Sequence, residues 1–163
     1  VMMKKSPRFW IGVASKEHVE VDKKLGICRF CHSKPDPAKR LVKGDYLIYY
    51  SSKFRVNDER RCLQFTAIGV ITDTTAHDIE PCAETNTEDS ELHASVAPRA
   101  LARNVKYFDV PAVDVKHLVP VLPFITNKSS WSSIFRHGFV EIDQDSFEVL
   151  AKGMLGYNPL DSD

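Results

Sequence analysis

The sequence lacks the features that mark several classes of protein. No run of about 18 apolar residues occurs, which excludes a membrane-spanning helix. The four cysteines are too few to form a disulfide framework in a chain of 163 residues. Cys62 and Cys82 do not supply a second C-x-x-C pair, so a four-cysteine zinc site is not expected. The apolar stretch at residues 9–14 is too short for a secretory signal, and we therefore expect a cytoplasmic protein.

The composition is typical of a single globular domain. Apolar residues make up 43% of the chain and charged residues 27%. No internal repeat is visible, so we expect one domain over residues 1–163, large enough to bury a core without disulfides or metal. Residues 73–98 are acidic and poor in aromatic side chains, which predicts a loop or insertion. The polar tail from about residue 156 is expected to fray.

The formal net charge is zero, which by itself does not favour a nucleic-acid partner. The charges are nevertheless segregated along the chain. Nine Lys or Arg stand against four Asp or Glu between Arg29 and Arg61, whereas Asp73 to Glu91 holds seven acids and no Lys or Arg. This distribution is compatible with a basic binding face and equally with two ordinary solvated surfaces.

One short motif suggests a different chemistry. Cys28-x-x-Cys31-His32 has the spacing used for covalent attachment of a c-type haem. No export signal or distal ligand accompanies it, and no oxyanion hole or acid partner can be identified for a nucleophilic cysteine. We expect no cofactor, no metal and no enzymatic activity. A redox, metal or enzyme function that uses Cys28, Cys31 and His32 is kept as the alternative.

Turn residues separate short apolar segments along the whole chain. This pattern predicts an α+β domain, in which a small β-barrel carries peripheral helices. Ser15 is expected to cap a helix at 16–24 that ends at Gly26, and Asp143 to cap a second helix with Phe147, Leu150 and Met154 on one face. The predicted strands lie at residues 8–14, 46–50, 62–71 (with a bulge or bend at Gly69), 103–115 and 139–142.

Seven motifs in order make the chain resemble a known family. They are Phe9-Trp10-Ile11-Gly12-Val13-Ala14-Ser15-x-x-His18, Gly26-x-Cys28-x-x-Cys31-His32, Lys39-Arg40-x-x-x-Gly44-Asp45, Tyr49-Tyr50-Ser51, Phe65-Thr66-Ala67-Ile68-Gly69, Arg103-Asn104-Val105-x-Tyr107 and Lys128-x-x-Trp131-x-x-x-Phe135-Arg136-x-Gly138-Phe139. With them the chain resembles the prokaryotic EVE-domain proteins, of the PUA-like superfamily and related to the YTH readers of methylated adenine. The resemblance runs from Phe9 to about Met154.

The resemblance implies a PUA-like, YTH-like barrel with a pocket for a single base at one mouth. The residues at the corresponding positions are Ser15, His18, Gly26, Ile27, Cys28, Tyr50, Ser51, Asn127 and Trp131. Cys28 stands near the position of one tryptophan of the YTH cage, so Trp131 and Tyr50 are the expected aromatic walls. The cations suited to phosphate contacts are Lys39, Arg40, Lys128 and Arg136.

Each of these residues also has a plain structural interpretation. Ser15 is first of all a helix cap, His18 a packing or surface histidine, and Cys28 a small apolar wall residue. Tyr49 and Tyr50 are adjacent on a strand and must face opposite sides, so one of them belongs to the core. Trp131 either stacks on a base or closes the core.

Together these observations predict a non-enzymatic module that binds RNA or DNA and holds a modified base in the barrel-mouth pocket. Besides the Cys28–Cys31–His32 alternative, a small-molecule sensor with the same pocket stays open, because the net charge is zero.

Overall fold

A computed structural model describes residues 6–30, 37–55, 57–79, 100–118 and 138–161 of the protein. Two helices are present in these residues, α1 at Lys16–Leu25 and α2 at Gln144–Leu155. The strands are β1 at Phe9–Val13, β2 at Ile27–Arg29, β3 at Tyr46–Lys53, β4 at Arg61–Ile71, β5 at His77–Ile79, β6 at Ala100–Tyr107, β7 at Val113–Asp114 and β8 at Phe139–Ile142. None of the helices in these ranges is long and apolar enough to cross a membrane.

The eight strands form one curled sheet, a half-barrel, in the order β2-β6-β4-β3-β1-β8. β5 pairs with β6, and β7 pairs with β4, beside this path. Among the described strands only β1 and β3 run parallel, with Phe9 opposite Tyr46 and Val13 opposite Tyr50. The parallel pair is the direct consequence of α1 and β2, which carry the chain away between the two strands.

Both faces of the central strands are buried, and neighbouring residues point to opposite cores. Ile11, Ile48 and Phe65 belong to the core that packs on α2, where Phe147, Leu150 and Met154 are buried. Trp10, Leu47 and Tyr49 belong to the second core with Val19 of α1 and residues of β2 and β6. The alternation follows from the two-residue period of a strand.

The ends of the two helices follow from local sequence. The Ser15 side chain accepts a hydrogen bond from the backbone of His18, and Gly26 ends α1 with φ of 68°. The Asp143 side chain accepts from the backbone of Ser146, and Gly156 ends α2 with φ of 83°. The predicted caps of both helices are therefore confirmed.

The irregularities of β4 differ from the prediction. Gly69 stands in regular register opposite Leu47, and no bulge occurs there. Its missing side chain allows β6 to approach, since a Cβ would lie 2.5 Å from Val105 Cγ1 and 2.9 Å from the Lys106 carbonyl oxygen. The register between β3 and β4 shifts at two other places, which lie between Tyr49 and Tyr50 and between Ser51 and Lys53 of β3.

Several other elements differ from the sequence prediction. β3 continues three residues beyond Tyr50. β2, which was not predicted, begins at Ile27, one residue after the end cap of α1 at Gly26. Residues 77–79 of the predicted acidic loop form β5, while residues 80–99 lie outside the described ranges. The predicted strand 103–115 is divided into β6 and β7. The tail forms a turn of 3-10 helix at Pro159–Asp161, whose first residue is buried.

Candidate functional site

The start of α1 lies beside the ends of β1 and β3. The backbone amide of Ala14 donates to the carbonyl of Tyr50 at 3.1 Å, and the amide of Glu17 donates to the carbonyl of Phe54 at 3.0 Å. Ser15 is therefore adjacent to the Tyr50–Ser51 segment, and its hydroxyl accepts from the His18 amide at 3.2 Å. The structure brings Ser15 and Ser51, two of the predicted pocket residues, to the same end of the sheet.

His18 is buried and belongs to a polar network under α1. Its Nε2 lies 2.9 Å from Asp22 Oδ2 and 3.1 Å from the Arg29 carbonyl oxygen. Both neighbours are hydrogen-bond acceptors, so Nε2 carries the proton. His18 is thus held in one orientation by the protein itself.

Asp22 is the centre of this network and is completely buried. Its Oδ1 accepts from Arg29 Nε at 3.0 Å, and its Oδ2 accepts from the Tyr49 hydroxyl at 3.3 Å. Three donors from α1, β2 and β3 therefore converge on one carboxylate. Buried charges of this kind are tolerated because they are paired and hydrogen-bonded.

Gly26, Ile27 and Cys28 lie beside this network, at the end of α1 and the start of β2. The Gly26 carbonyl accepts from the amide of Val105 at 2.8 Å, and the Ile27 carbonyl accepts from the Tyr107 hydroxyl at 2.6 Å. Cys28 is completely buried in the core on the α1 side of the sheet. Burial, and secondly the charge of Asp22, raise the pKa of the Cys28 thiol, which therefore stays protonated near neutral pH.

Tyr50 and Ser51 are both buried, but they are on different sides of β3. Tyr50 packs against Phe65 in the core under α2, with ring centroids 5.6 Å apart. Ser51 Oγ is hydrogen-bonded to Thr66 Oγ1 at 2.8 Å. Tyr49, not Tyr50, is on the side of Cys28 and His18. Tyr50 and Cys28 are therefore not brought together in the described residues.

Lys39 and Arg40 are both exposed, on and after a turn of 3-10 helix. The Arg40 guanidinium Cζ lies 4.9 Å from the centroid of the Trp10 ring and 5.5 Å from that of Phe139. Trp10 and Phe139 are stacked on each other at 4.8 Å. Arg40 thus covers an aromatic pair by a cation–π contact, and its outer edge remains accessible to an anion.

The other predicted residues lie outside the described ranges. They are Asn127, Lys128, Trp131 and Arg136 of the predicted site, and Cys31 and His32 of the alternative. No group of three or more His, Cys, Asp or Glu that could hold a metal occurs among the residues that the structure does describe. The expectations of no metal and no cofactor stay predictions.

The partners of His18 and a cationic hairpin were not predicted from the sequence. Asp22 stands four residues after His18, which places both on one side of α1, and this spacing was the only available signal. Arg29 and Tyr49 reach Asp22 from strands β2 and β3. The hairpin between β3 and β4 carries Lys53, Arg55, Arg60 and Arg61, and in the sequence these cations are part of a longer basic segment.

Comparison with known sequences identifies relatives over nearly the whole chain. The family model described as EVE domain matches residues 8–153. A UPF0310 protein of Streptococcus gordonii is 52% identical over 73 residues, which are 45% of this chain and 52% of that protein. That match spans about half the length of the streptococcal relative. A UPF0310 protein of Bacillus licheniformis is 28% identical over 141 residues, 86% of this chain and 87% of its own.

Solved structures share the fold at low sequence identity. A hypothetical protein from Leishmania major has a TM-score of 0.57 at 8% identity, covering 90% of this chain and 94% of its own. The YTH domain of the Zygosaccharomyces rouxii MRB1 protein, solved in complex with N6-methyladenosine RNA, has a TM-score of 0.51 at 16% identity. The match covers 93% of this chain and 89% of that domain. The predicted α+β, PUA-like and YTH-like small barrel with peripheral helices is confirmed.

Proposed function

The chain belongs to the EVE domain family, as its motifs predicted, and on this premise we propose that it is a non-enzymatic module that binds a modified base of RNA or DNA. The fold is consistent with nucleic-acid binding. The observation that carries the proposal is the shared fold of this chain and a YTH domain solved with N6-methyladenosine RNA. We further propose that the base that the protein recognises carries a modification.

The arrangement at the end of the sheet supports this proposal. Ser15 and Ser51 lie where β1 and β3 end, beside the start of α1. Both side chains are buried and bonded within the protein, Ser15 to the His18 amide and Ser51 to Thr66 Oγ1, so in this proposal they shape the floor of the pocket. The sequence adds Asn127 and Trp131, and a tryptophan that stacks on a base contributes about 1–3 kcal/mol. The proposed pocket combines these four residues with the wall at Gly26–Cys28.

The burial of Cys28 disfavours the alternative based on Cys28, Cys31 and His32. The thiolate is the form of cysteine that attacks substrates or binds metal, and the pKa of Cys28 is raised by burial. The Cys28 side chain therefore contributes shape to the wall of the pocket and no nucleophile.

The proposal is tested by binding of matched oligonucleotides. We expect the wild-type protein to bind a fluorescein-labelled single strand that contains one modified base more tightly than its unmodified twin. The set comprises RNA with N6-methyladenosine and DNA with N6-methyladenine or 5-methylcytosine. Replacing Trp131 by Ala should weaken binding of the preferred modified strand about tenfold or more, because one stacked base is lost. The unmodified strand should lose less.

The control is Tyr157→Ala, which removes an aromatic side chain that is 51% exposed and lies after α2. It should leave both affinities unchanged. Equal affinity of the wild-type protein for every modified strand and its twin would refute base recognition. Equal losses for both strands in a folded Trp131→Ala protein would show that Trp131 does not discriminate between them.

A further inference from the structure

The hairpin that joins β3 and β4 carries an unusual pair of like charges. Lys53 and Arg61 are directly opposite each other in the antiparallel ladder, and both are exposed. Side chains opposite each other have Cβ atoms about 4.5–5.5 Å apart, and like charges at that separation repel. Within the described residues neither Lys53 nor Arg61 forms an ion pair. Such a pair is stabilised when an anion binds between the two cations.

A bulge in β4 is responsible for this pairing. From the pair Ser51–Gln64 to the pair Lys53–Arg61, β3 advances by two residues and β4 by three. The additional residue of β4 lies in a segment where Leu63 has φ of 52°, which is unfavourable for leucine. Without the bulge, Arg61 would point to the opposite face from Gln64. With it, Arg61 shares the face of Lys53 and Ser51.

A second group of cations surrounds Phe54 at the base of the same hairpin. Lys16 Nζ lies 5.7 Å and Arg60 Cζ 5.4 Å from the centroid of the Phe54 ring. Lys16 also donates to Gln64 Oε1 at 3.2 Å. Three acids lie in this part of the chain: Glu17 is 3.5 Å from Arg55, Asp58 is 2.8 Å from Arg60, and Glu59 is exposed. Glu17 and Asp58 pair with Arg55 and Arg60, whereas Glu59 forms no ion pair among the described residues, and Lys53 and Arg61 are left available.

The position of the cation pair relates it to the proposed pocket. Lys53 is two residues beyond Ser51 on β3, which is about 6.6 Å along a strand. The Phe54 carbonyl accepts from the amide of Glu17, so the hairpin is attached to the start of α1 beside Ser15. A strand whose base enters the pocket beside Ser15 and Ser51 would carry its backbone past Lys53 and Arg61.

We propose that Lys53 and Arg61 together bind the phosphodiester backbone of the nucleic acid strand next to the recognised base. This inference rests on the proposed function and adds to it a phosphate site separate from Lys39 and Arg40. A lysine and an arginine on one face supply several N–H donors to phosphate oxygens, and the repulsion between them is relieved by the bound anion.

The test is the double charge reversal Lys53→Glu/Arg61→Glu, with Lys116→Glu/Lys152→Glu as the matched control. The control changes the net charge equally at two exposed lysines outside the hairpin. Binding is measured by fluorescence anisotropy with the modified strand and its twin at several salt concentrations. Binding that neutralises two phosphates of a single strand releases their counterions, and this contributes about 1.4 to the slope of log Kd against log salt concentration. Near 0.1 M salt that contribution corresponds to about 25-fold in affinity.

We expect Lys53→Glu/Arg61→Glu to bind both strands on the order of 25-fold more weakly, and the slope of log Kd against log salt concentration to fall by about 1.4. The two strands should be affected equally because phosphates carry no base identity. The control should lose much less. If the wild-type protein binds and the two double variants lose affinity equally, this inference is overturned and the proposed function is left intact. Failure of the wild-type protein to bind any strand would instead overturn the proposed function and, with it, the phosphate site. Hairpin-dependent binding of a polyglutamate tracer without oligonucleotide binding would assign the surface to an acidic protein.

A second variant separates binding from folding. Lys53→Gln/Arg61→Gln removes the repulsion without introducing acids, so its melting temperature should equal or exceed that of the wild-type protein while its affinity falls. A lower melting temperature would mean that the two side chains stabilise the hairpin, which would overturn their assignment to an anion.

Discussion

Replacing Asp22 by Asn tests the buried network under α1 most directly. The Asp22 carboxylate accepts from Arg29 Nε at 3.0 Å, from the Tyr49 hydroxyl at 3.3 Å and from His18 Nε2 at 2.9 Å. Asparagine keeps the shape but has one acceptor oxygen and an amide group that donates. At least one of the three donors therefore faces another donor, and the buried Arg29 loses the negative charge that Asp22 supplies.

The expected loss of stability is large for a single isosteric substitution. Breaking a buried ion pair by removing one partner costs about 3–5 kcal/mol, because the other charge remains desolvated. For a chain of this length, 1 kcal/mol corresponds to about 2–4 °C in melting temperature, so we expect Asp22→Asn to melt about 6–20 °C lower. Urea unfolding followed by circular dichroism gives the free energy independently. Asp109→Asn, at an exposed position, should change stability by less than about 0.5 kcal/mol.

A double-mutant cycle distinguishes an ion pair from general packing. Arg29→Met removes the other charge of the pair and keeps much of the side-chain volume. If Asp22 and Arg29 act as a pair, the double variant should be more stable than the sum of the two single losses predicts. A loss below about 1 kcal/mol for Asp22→Asn, or strict additivity in the cycle, would refute the electrostatic account of the network.

Two further predictions concern packing and alkaline pH. Gly69→Ala should cost about 1–3 kcal/mol in urea unfolding, because the Cβ would lie 2.9 Å from the rigid Lys106 carbonyl oxygen. Gly153→Ala, which meets only the flexible Leu118 side chain, should cost less, and equal losses would contradict the close approach of β6. Burial raises the pKa values of Cys28 and Tyr49, so the unfolded chain loses these protons first and the free energy of unfolding should fall as pH rises above about 8.5 and more steeply above about 10. Urea midpoints that stay constant to pH 11, or that fall equally early in Cys28→Ser, would contradict this assignment.

Features with local causes were predictable from the sequence. Ser15 and Gly26 define the ends of α1 through a cap and a left-handed residue, and Asp143 does the same for the start of α2. The buried face of α2 followed from its helical spacing. The order of the seven motifs was sufficient to identify the family, which the match over residues 8–153 confirms.

The candidate site was predictable only in part. Ser15 and Ser51 lie at the same end of the sheet, whereas Tyr50 packs under α2 and Tyr49 is on the Cys28 side. Strand alternation predicts that adjacent tyrosines face opposite sides. It does not predict which side holds the pocket when both faces of a strand are buried.

The sequence by itself determined the family, the order of the longer strands and helices, and the capped ends of the helices, because these depend on motifs and patterns that are local in the chain. Only the tertiary structure decided that Asp22 is buried, since its partners Arg29 and Tyr49 are 7 and 27 residues away. It also decided that Lys53 and Arg61 share a face. A bulge near Leu63 shifts the register by one residue, and such a shift turns a side chain to the other face without any local signal in the sequence.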